Sequence, residues 1–219
     1  MSPRSPGPDE LARRWEAIHP GMRADAHPVV RGWLRLMWRL ARPLAERGVA
    51  PNVVTLVGAA LGPVAVVASL RGSLGGSRWL GVLVVALLLA EALGDGLDGA
   101  VAILADRVSA AGARLDRLAD RVGDGCWALV LWAYGAPWWV AALLIAATVA
   151  QEAWRDSLGD RAAGLITAGE RPTRLICAAR GALRAAVVPS ATWTASVCAA
   201  VWGVAALIAL AQLGARARR

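Results

Sequence analysis

The chain has no lysine, so all 24 of its basic residues are arginines, set against 16 acids. Histidine is scarce too: His19 and His27 both precede the first long apolar run. The three cysteines, Cys126, Cys177 and Cys198, lie in apolar stretches without metal-ligand spacing. That argues against a disulfide framework and a zinc site, and suits small buried residues. Residues 1–50 lack the apolar run of a signal peptide, and the stretch from Met1 to Pro8 has the composition of a frayed tail. Charge of either sign is sparse, at 18% against 57% hydrophobic residues, with a mean hydropathy of +0.49. The formal charge is nevertheless +8. A nucleic-acid partner would require the arginines on a solvated face over a conventional core. Here they gather near the N-terminus, in short hydrophilic stretches and at the C-terminus, which excludes that partner class.

What lies between those clusters is apolar and long. Crossing a bilayer takes roughly 20 residues of helix. Val53 to Leu70 carries no formal charge, and Trp79 to Ala102 is interrupted only by Glu91, Asp95 and Asp98. Val122 to Tyr134 is short unless its helix begins near Gly112, and Pro137 to Val149 continues to about Trp154. Leu175 to Val188 is broken by Arg180 and Arg184, and Trp193 to Leu213 is nearly continuous. The pattern predicts an all-α integral membrane protein with six transmembrane helices.

Arginine-rich segments stay on the cytoplasmic side. Nine arginines precede Ala50, and Arg216, Arg218 and Arg219 close the chain, so both termini are expected in the cytoplasm. The segments from Asp106 to Arg121 and from Arg155 to Arg174 carry four arginines each and belong there too. The uncharged connections at Tyr134–Pro137 and Pro189–Thr192 suit the opposite face, while Arg71 and Arg78 run against the rule. Ahead of the first span, Val30, Trp33, Leu34, Met37, Trp38, Leu40, Ala41 and Leu44 form an apolar band opposite Arg31, Arg35, Arg39 and Arg42. That is the profile of a helix lying in the membrane interface, arginines toward lipid phosphates. A soluble helix packed on the membrane domain is the alternative.

Carboxylates inside apolar helices are costly and mark functional sites. Glu91, Asp95 and Asp98 fall at i, i+4 and i+7, and Asp116, Asp120 and Asp124 follow at steps of four, so each set shares one helical face. Consecutive antiparallel helices would bring the two faces together at the cytoplasmic end. Converging carboxylates repel unless a cation neutralises them, and an all-oxygen set suits Mg²⁺ or Mn²⁺, two such ions being a familiar arrangement for phosphoryl chemistry. Gly94, Gly96, Gly99 and Gly112 remove side chains beside the acids, for a ligand or for ordinary helix packing. Spacing alone also allows a salt network with Arg107, Arg114, Arg117 and Arg121, or a cation pathway.

These residues resemble the signature of the CDP-alcohol phosphatidyltransferase family, Asp-x-x-Asp-Gly-x-x-Ala-Arg, eight residues, Gly-x-x-x-Asp-x-x-x-Asp. Asp95, Asp98, Gly99, Ala102, Gly112, Asp116 and Asp120 match in register, seven of eight fixed positions. Arg42-Pro43 with Pro51-Asn52-Val53-Val54-Thr55 resembles the family's approach to its first span. Glu170-Arg171-Pro172-Thr173-Arg174 resembles the approach to the fifth in the family's actinobacterial phosphatidylinositol phosphate synthases.

The resemblance implies a homodimer with two divalent ions, Mg²⁺ or Mn²⁺, between the second and third spans. It implies metal ligands at Asp95, Asp98, Asp116 and Asp120, with Asp120 also the general base. Gly99, Ala102 and Gly112 would line the nucleotide site. A hydroxyl of a small alcohol or polyol would attack a CDP-linked lipid and release CMP. The family's arginine after Ala102 is Ile103 here, which removes a charge-assisted donor to the nucleotide phosphates. Arg107, one turn onward, would substitute if the helix continues that far. Arg155, Arg171 and Arg174 are the candidate acceptor-binding residues, although Glu152 and Asp156 add negative charge nearby. A transporter or a catalytically silent scaffold of the same fold is the alternative that Ile103 keeps open. The expected organisation is a flexible segment over 1–27, an interfacial helix over 28–48, a six-helix catalytic membrane domain over 49–214 and a basic tail over 215–219. The expected location is the plasma membrane, among membrane lipids, with the site facing the cytoplasm.

Overall fold

A backbone in hydrocarbon must satisfy its own hydrogen bonds, and every regular element among the described residues is helical. The computed structural model describes residues 6–19, 21–25, 28–75, 77–188 and 193–218. Its helices are α1 (Pro8–Ile18), α2 (Pro28–Glu46), α3 (Pro51–Gly75), α4 (Arg78–Leu104), α5 (Ala110–Ala133), α6 (Trp138–Leu158), α7 (Arg171–Val187) and α8 (Trp193–Ala217). A 3-10 turn at Gly159–Ala162 follows α6. Each apolar run of the sequence falls on one of α3 to α8, with Tyr134, Pro137 and Val188 as capping residues just outside. By length and composition alone, α3, α4 and α8 qualify as membrane spans. The connection at Pro189–Thr192, His27, Arg219 and the first five residues lie outside the described residues.

Helix α1 departs from the flexible segment expected over 1–27. Pro8 at its start brings a fixed φ where no amide donor is needed, and Asp9 and Glu10 offset the positive end of the helix. Leu11 is fully buried and packs with Met37 and Ala41 of α2 and Ala100, Val101 and Ile103 of α4. The Trp38 indole N–H donates to the Pro6 carbonyl at 2.8 Å, a second tie across the same seam. Leu11, Trp15 and Ile18 fall on one face of α1, but a stripe of three among charged residues does not stand out in sequence before its partners are known.

On α2 the apolar band divides into two. Leu34, Met37 and Ala41 are buried, whereas Val29, Trp33, Leu36 and Leu40 form an exposed stripe at helical spacing. Arg31, Arg35, Arg39 and Arg42 are exposed on a third face.

Glycine contacts set how α3 and α4 run. A Cβ at Gly94 would stand 3.2 Å from the Gly58 Cα, and one at Gly72 would stand 3.2 Å from the Leu80 Cβ, so the two helices are antiparallel. The main core is built on Val84, Leu88, Trp127, Leu131, Ala182 and Trp202, and reaches the acids through Trp127.

Candidate active site

Five elements converge at one end of the bundle: the first turns of α3, the last half of α4, the first half of α5, the end of α6 and the start of α7. Ser109 caps α5, its Oγ accepting from the Gly112 amide at 3.1 Å. That fixes where the helix begins and therefore which way Asp116 and Asp120 face. Asp95, Asp116 and Asp120 each present an oxygen within 4.8 Å of the others. Asp98 stands beside them but turns to α3, accepting from the Thr55 hydroxyl at 2.5 Å. Of the four acids expected to meet, three share a centre and the fourth abuts it. Asp124, in step with them on α5, pairs chiefly with Arg174 and stands 3.9 Å from the Arg171 Nε.

Arg171 reaches into this centre from the start of α7. Its guanidinium pairs with Asp95 at 2.6 Å and with Asp120, and lies over the Trp127 ring at 5.0 Å. Glu91, one turn deeper, is buried and accepts from the Trp127 indole at 2.9 Å. Gly123 leaves room for that carboxylate, since a Cβ there would run into Glu91.

Arg174 and Arg155 lie elsewhere. Arg174 is fully buried, donating to Asp124 and Glu152 at 2.5 Å each and to the Gly169 carbonyl at 2.8 Å. Arg155 binds the Leu165 carbonyl at 2.9 Å, Thr167 and Glu170. Of the three arginines expected at an acceptor, only Arg171 meets the acids. The other two brace α5, α6 and the segment before α7.

The acids form the floor of a cleft of about 560 Å³, which Gly99, Ala102, Gly112 and Arg107 also line. Gly99 faces open space, with nothing within 4 Å of where a Cβ would stand. The helix does not continue to Arg107: α4 ends at Leu104, and Asp106 turns the chain at φ 54°. Arg107 still reaches the cleft from the loop, its guanidinium 3.4 Å from the Gly48 carbonyl. Ile103 is buried beneath α1. Sequence reasoning passed over Asn52, Thr55 and Arg117 as cleft residues, and also Trp15 and His19 of α1. The first two stood in a motif already quoted for its resemblance, which was the usable signal, and in space they lie beside Gly112 and Asp98.

The donor set suits a hard divalent cation. It is all carboxylate oxygen, it is partly shielded from solvent, and it already draws a guanidinium into its middle. A path across the bundle is less well served. No Asp or Glu occurs in residues 51–90, 125–151 or 171–219, so the far halves of α3 to α8 carry no acid, and the apolar core closes them.

A sequence model described as CDP-alcohol phosphatidyltransferase matches residues 48–212. A phosphatidylinositol phosphate synthase of Mycolicibacterium smegmatis is 35% identical, the match covering 80% of this chain and 82% of the relative. Among solved structures, the phosphatidylinositol phosphate synthase of Mycobacterium tuberculosis in complex with manganese and citrate superposes with a TM-score of 0.54. It is 26% identical, with 82% of this chain and 88% of that one covered.

Proposed function

The chain belongs to the CDP-alcohol phosphatidyltransferase family, and from that membership and the cleft we propose how its residues divide the reaction. The enzyme is a membrane protein that transfers a phosphatidyl group from a CDP-linked lipid to an alcohol, releasing CMP, with Mg²⁺ or Mn²⁺ as cofactor. Asp95, Asp116 and Asp120 would hold the ion, with Asp98 completing the set or serving a second one. Bound there, the metal would neutralise the diphosphate and stabilise the leaving phosphate. The observation that carries this assignment is the meeting of three carboxylates at the floor of a cleft lined by Gly99 and Gly112.

In the reaction, the acceptor oxygen attacks the β-phosphorus and the bond from that phosphorus to the CMP oxygen breaks. The hydroxyl proton passes to Asp120. Gly99, Ala102 and Gly112 leave the nucleotide room for close approach, and Arg107 supplies a guanidinium to its phosphates in place of the arginine that Ile103 replaces. Arg171 neutralises the acids until metal enters and then turns to the acceptor. Arg171→Gln should therefore lower the metal-free melting temperature and raise Mn²⁺ affinity about tenfold or more, since a competing charge a few ångströms away is gone. Thermal melts with and without Mn²⁺, and Mn²⁺ titration by electron paramagnetic resonance, read both effects. Unchanged Mn²⁺ affinity would count against the exchange.

For the acceptor we favour a polyol, with inositol phosphate one candidate. Arg155 and Arg174 are paired with Glu170, Asp124 and Glu152 away from the cleft, whereas Arg171 is paired with Asp95 and Asp120, the acids a metal would take over, and would then be released to the acceptor. CMP release assayed with inositol phosphate, glycerol phosphate, inositol, serine and unphosphorylated polyols is expected to rise with a polyol. No release with any of them would overturn both the acceptor reading and the residue roles.

The same reading places six spans in the plasma membrane, a homodimer, and the cleft with both termini on the cytoplasmic side. Exposed tryptophans support it. Trp79, Trp138, Trp139 and Trp193 open α4, α6 and α8, the three helices that start at the end opposite the acids, as an interfacial belt requires. The Arg78 guanidinium lies over the Trp79 ring at 5.5 Å, so this arginine against the charge rule has an interfacial partner. On α2, the exposed apolar stripe and the separate arginine face suit a helix lying in the headgroup region.

A further inference from the structure

Helix α1 precedes the segment that matches the family, yet it forms one wall of the cleft. Leu11, Trp15, Ile18 and His19 line the same space as Gly99, Gly112 and the acids. The rings of Trp15 and His19 are stacked, their centroids 4.3 Å apart and their planes 23° from parallel. Because a carbonyl can only accept, the 2.8 Å contact between His19 Nδ1 and the Trp15 carbonyl makes Nδ1 the protonated nitrogen, and that bond holds the imidazole in the stack. The pair is only partly buried, so ring surface remains on the cleft side.

The helix is seated by the residue that departs from the family motif. Ile103 lies in the apolar cluster with Leu11, and the Arg14 guanidinium reaches the Ile103 carbonyl at 3.5 Å. Ile103 also lines the cleft, so its packing with Leu11 holds α1 at the cleft's edge. What this wall offers the cleft is aromatic surface.

We propose that α1 is a nucleotide-binding element of this enzyme, in which the stacked Trp15 and His19 form a platform for the cytosine ring of the CDP-linked donor. The proposal rests on the transferase reading above. Every base presents a π-face, and stacking on an aromatic side chain is worth roughly 5- to 150-fold in binding per base. A wall of this kind recovers donor affinity without a charge, and it acts on the base rather than the phosphates.

The test is CMP binding to the full chain in nanodiscs, by isothermal titration with Mn²⁺ saturating, for the wild type, Trp15→Leu, Trp15→Phe and His19→Ala. Trp15→Leu keeps apolar packing and removes the aromatic face, so it is expected to weaken CMP by on the order of 10-fold, with His19→Ala changing in the same direction. Trp15→Phe should recover most of the loss, which a purely structural role for the side chain would not require. Mn²⁺ affinity should be the same in all four, because no substituted residue touches the acids. Equal CMP binding by the wild type and Trp15→Leu would overturn the platform and leave the transferase reading standing. No CMP binding by the wild type would overturn both.

Discussion

Asp120→Asn is expected to lower turnover by roughly 10²-fold or more at saturating Mg²⁺, the scale of a lost general base. Asparagine keeps the size of the side chain and one oxygen for a metal, but it cannot take the acceptor's proton. Asp120 sits at the cleft floor, where its carboxylate shares a centre with Asp95 and Asp116 and pairs with Arg171. The assay is therefore run across a Mg²⁺ titration, so that weakened metal binding is overcome before rates are compared. Near-normal turnover at saturation would remove Asp120 as the base, and with it the proton path given above. Asp124→Asn is the control. Its carboxylate pairs with Arg174 at 2.5 Å and approaches Arg171 only to 3.9 Å, outside the cleft lining, so its loss should chiefly affect stability and leave the chemical step close to wild type.

Arg174→Ala is expected to destabilise the folded protein by about 3–5 kcal/mol, the cost of leaving partners of a buried charge unpaired. Arg174 joins Asp124 of α5 to Glu152 of α6 and to the Gly169 carbonyl ahead of its own helix. Its removal leaves Asp124 and Glu152 with arginines no nearer than 3.9 Å, and the Gly169 carbonyl with Gln151 as its remaining donor. Lysine should rescue only part of the loss, because a single ammonium cannot reproduce the fork that meets three acceptors in different directions. Thermal or denaturant melts in nanodiscs measure the effect. Stability within about 1 kcal/mol of wild type, together with a raised KM for the acceptor, would return Arg174 to the acceptor role that its sequence position suggests.

Arg174 also shows where a sequence stops being informative. In sequence, Arg155, Arg171 and Arg174 are equivalent: each is an arginine in a hydrophilic segment between apolar runs. In space, one enters the acid cluster and two are enclosed by other acids, because α5 and α6 present Asp124 and Glu152 to Arg174 and the residue capping α7, Glu170, meets Arg155. Asp98 and Asp124 separate from their neighbours for the same reason. Helical periodicity puts Asp116, Asp120 and Asp124 on one face, but the first two meet Asp95 of α4, with Arg171 pairing Asp120, whereas Asp124 pairs with Arg174 further along α7.

By itself the sequence determined what depends on local spacing. Apolar runs of membrane length required helices, because backbone polar groups in hydrocarbon can pair only within the chain. Acids at steps of three and four required shared faces, and the registered match from Asp95 to Asp120 carried the chemistry. The tertiary structure alone decided what depends on contacts between distant segments. It brought three of the four motif acids to one centre, enclosed Arg174, ended α4 before Arg107, and seated α1 on Ile103 as a wall of the cleft. The physical reason is that such contacts are set by which surfaces complement one another in space. A single buried leucine at position 11 gains its meaning only when Met37 and Ile103 are beside it.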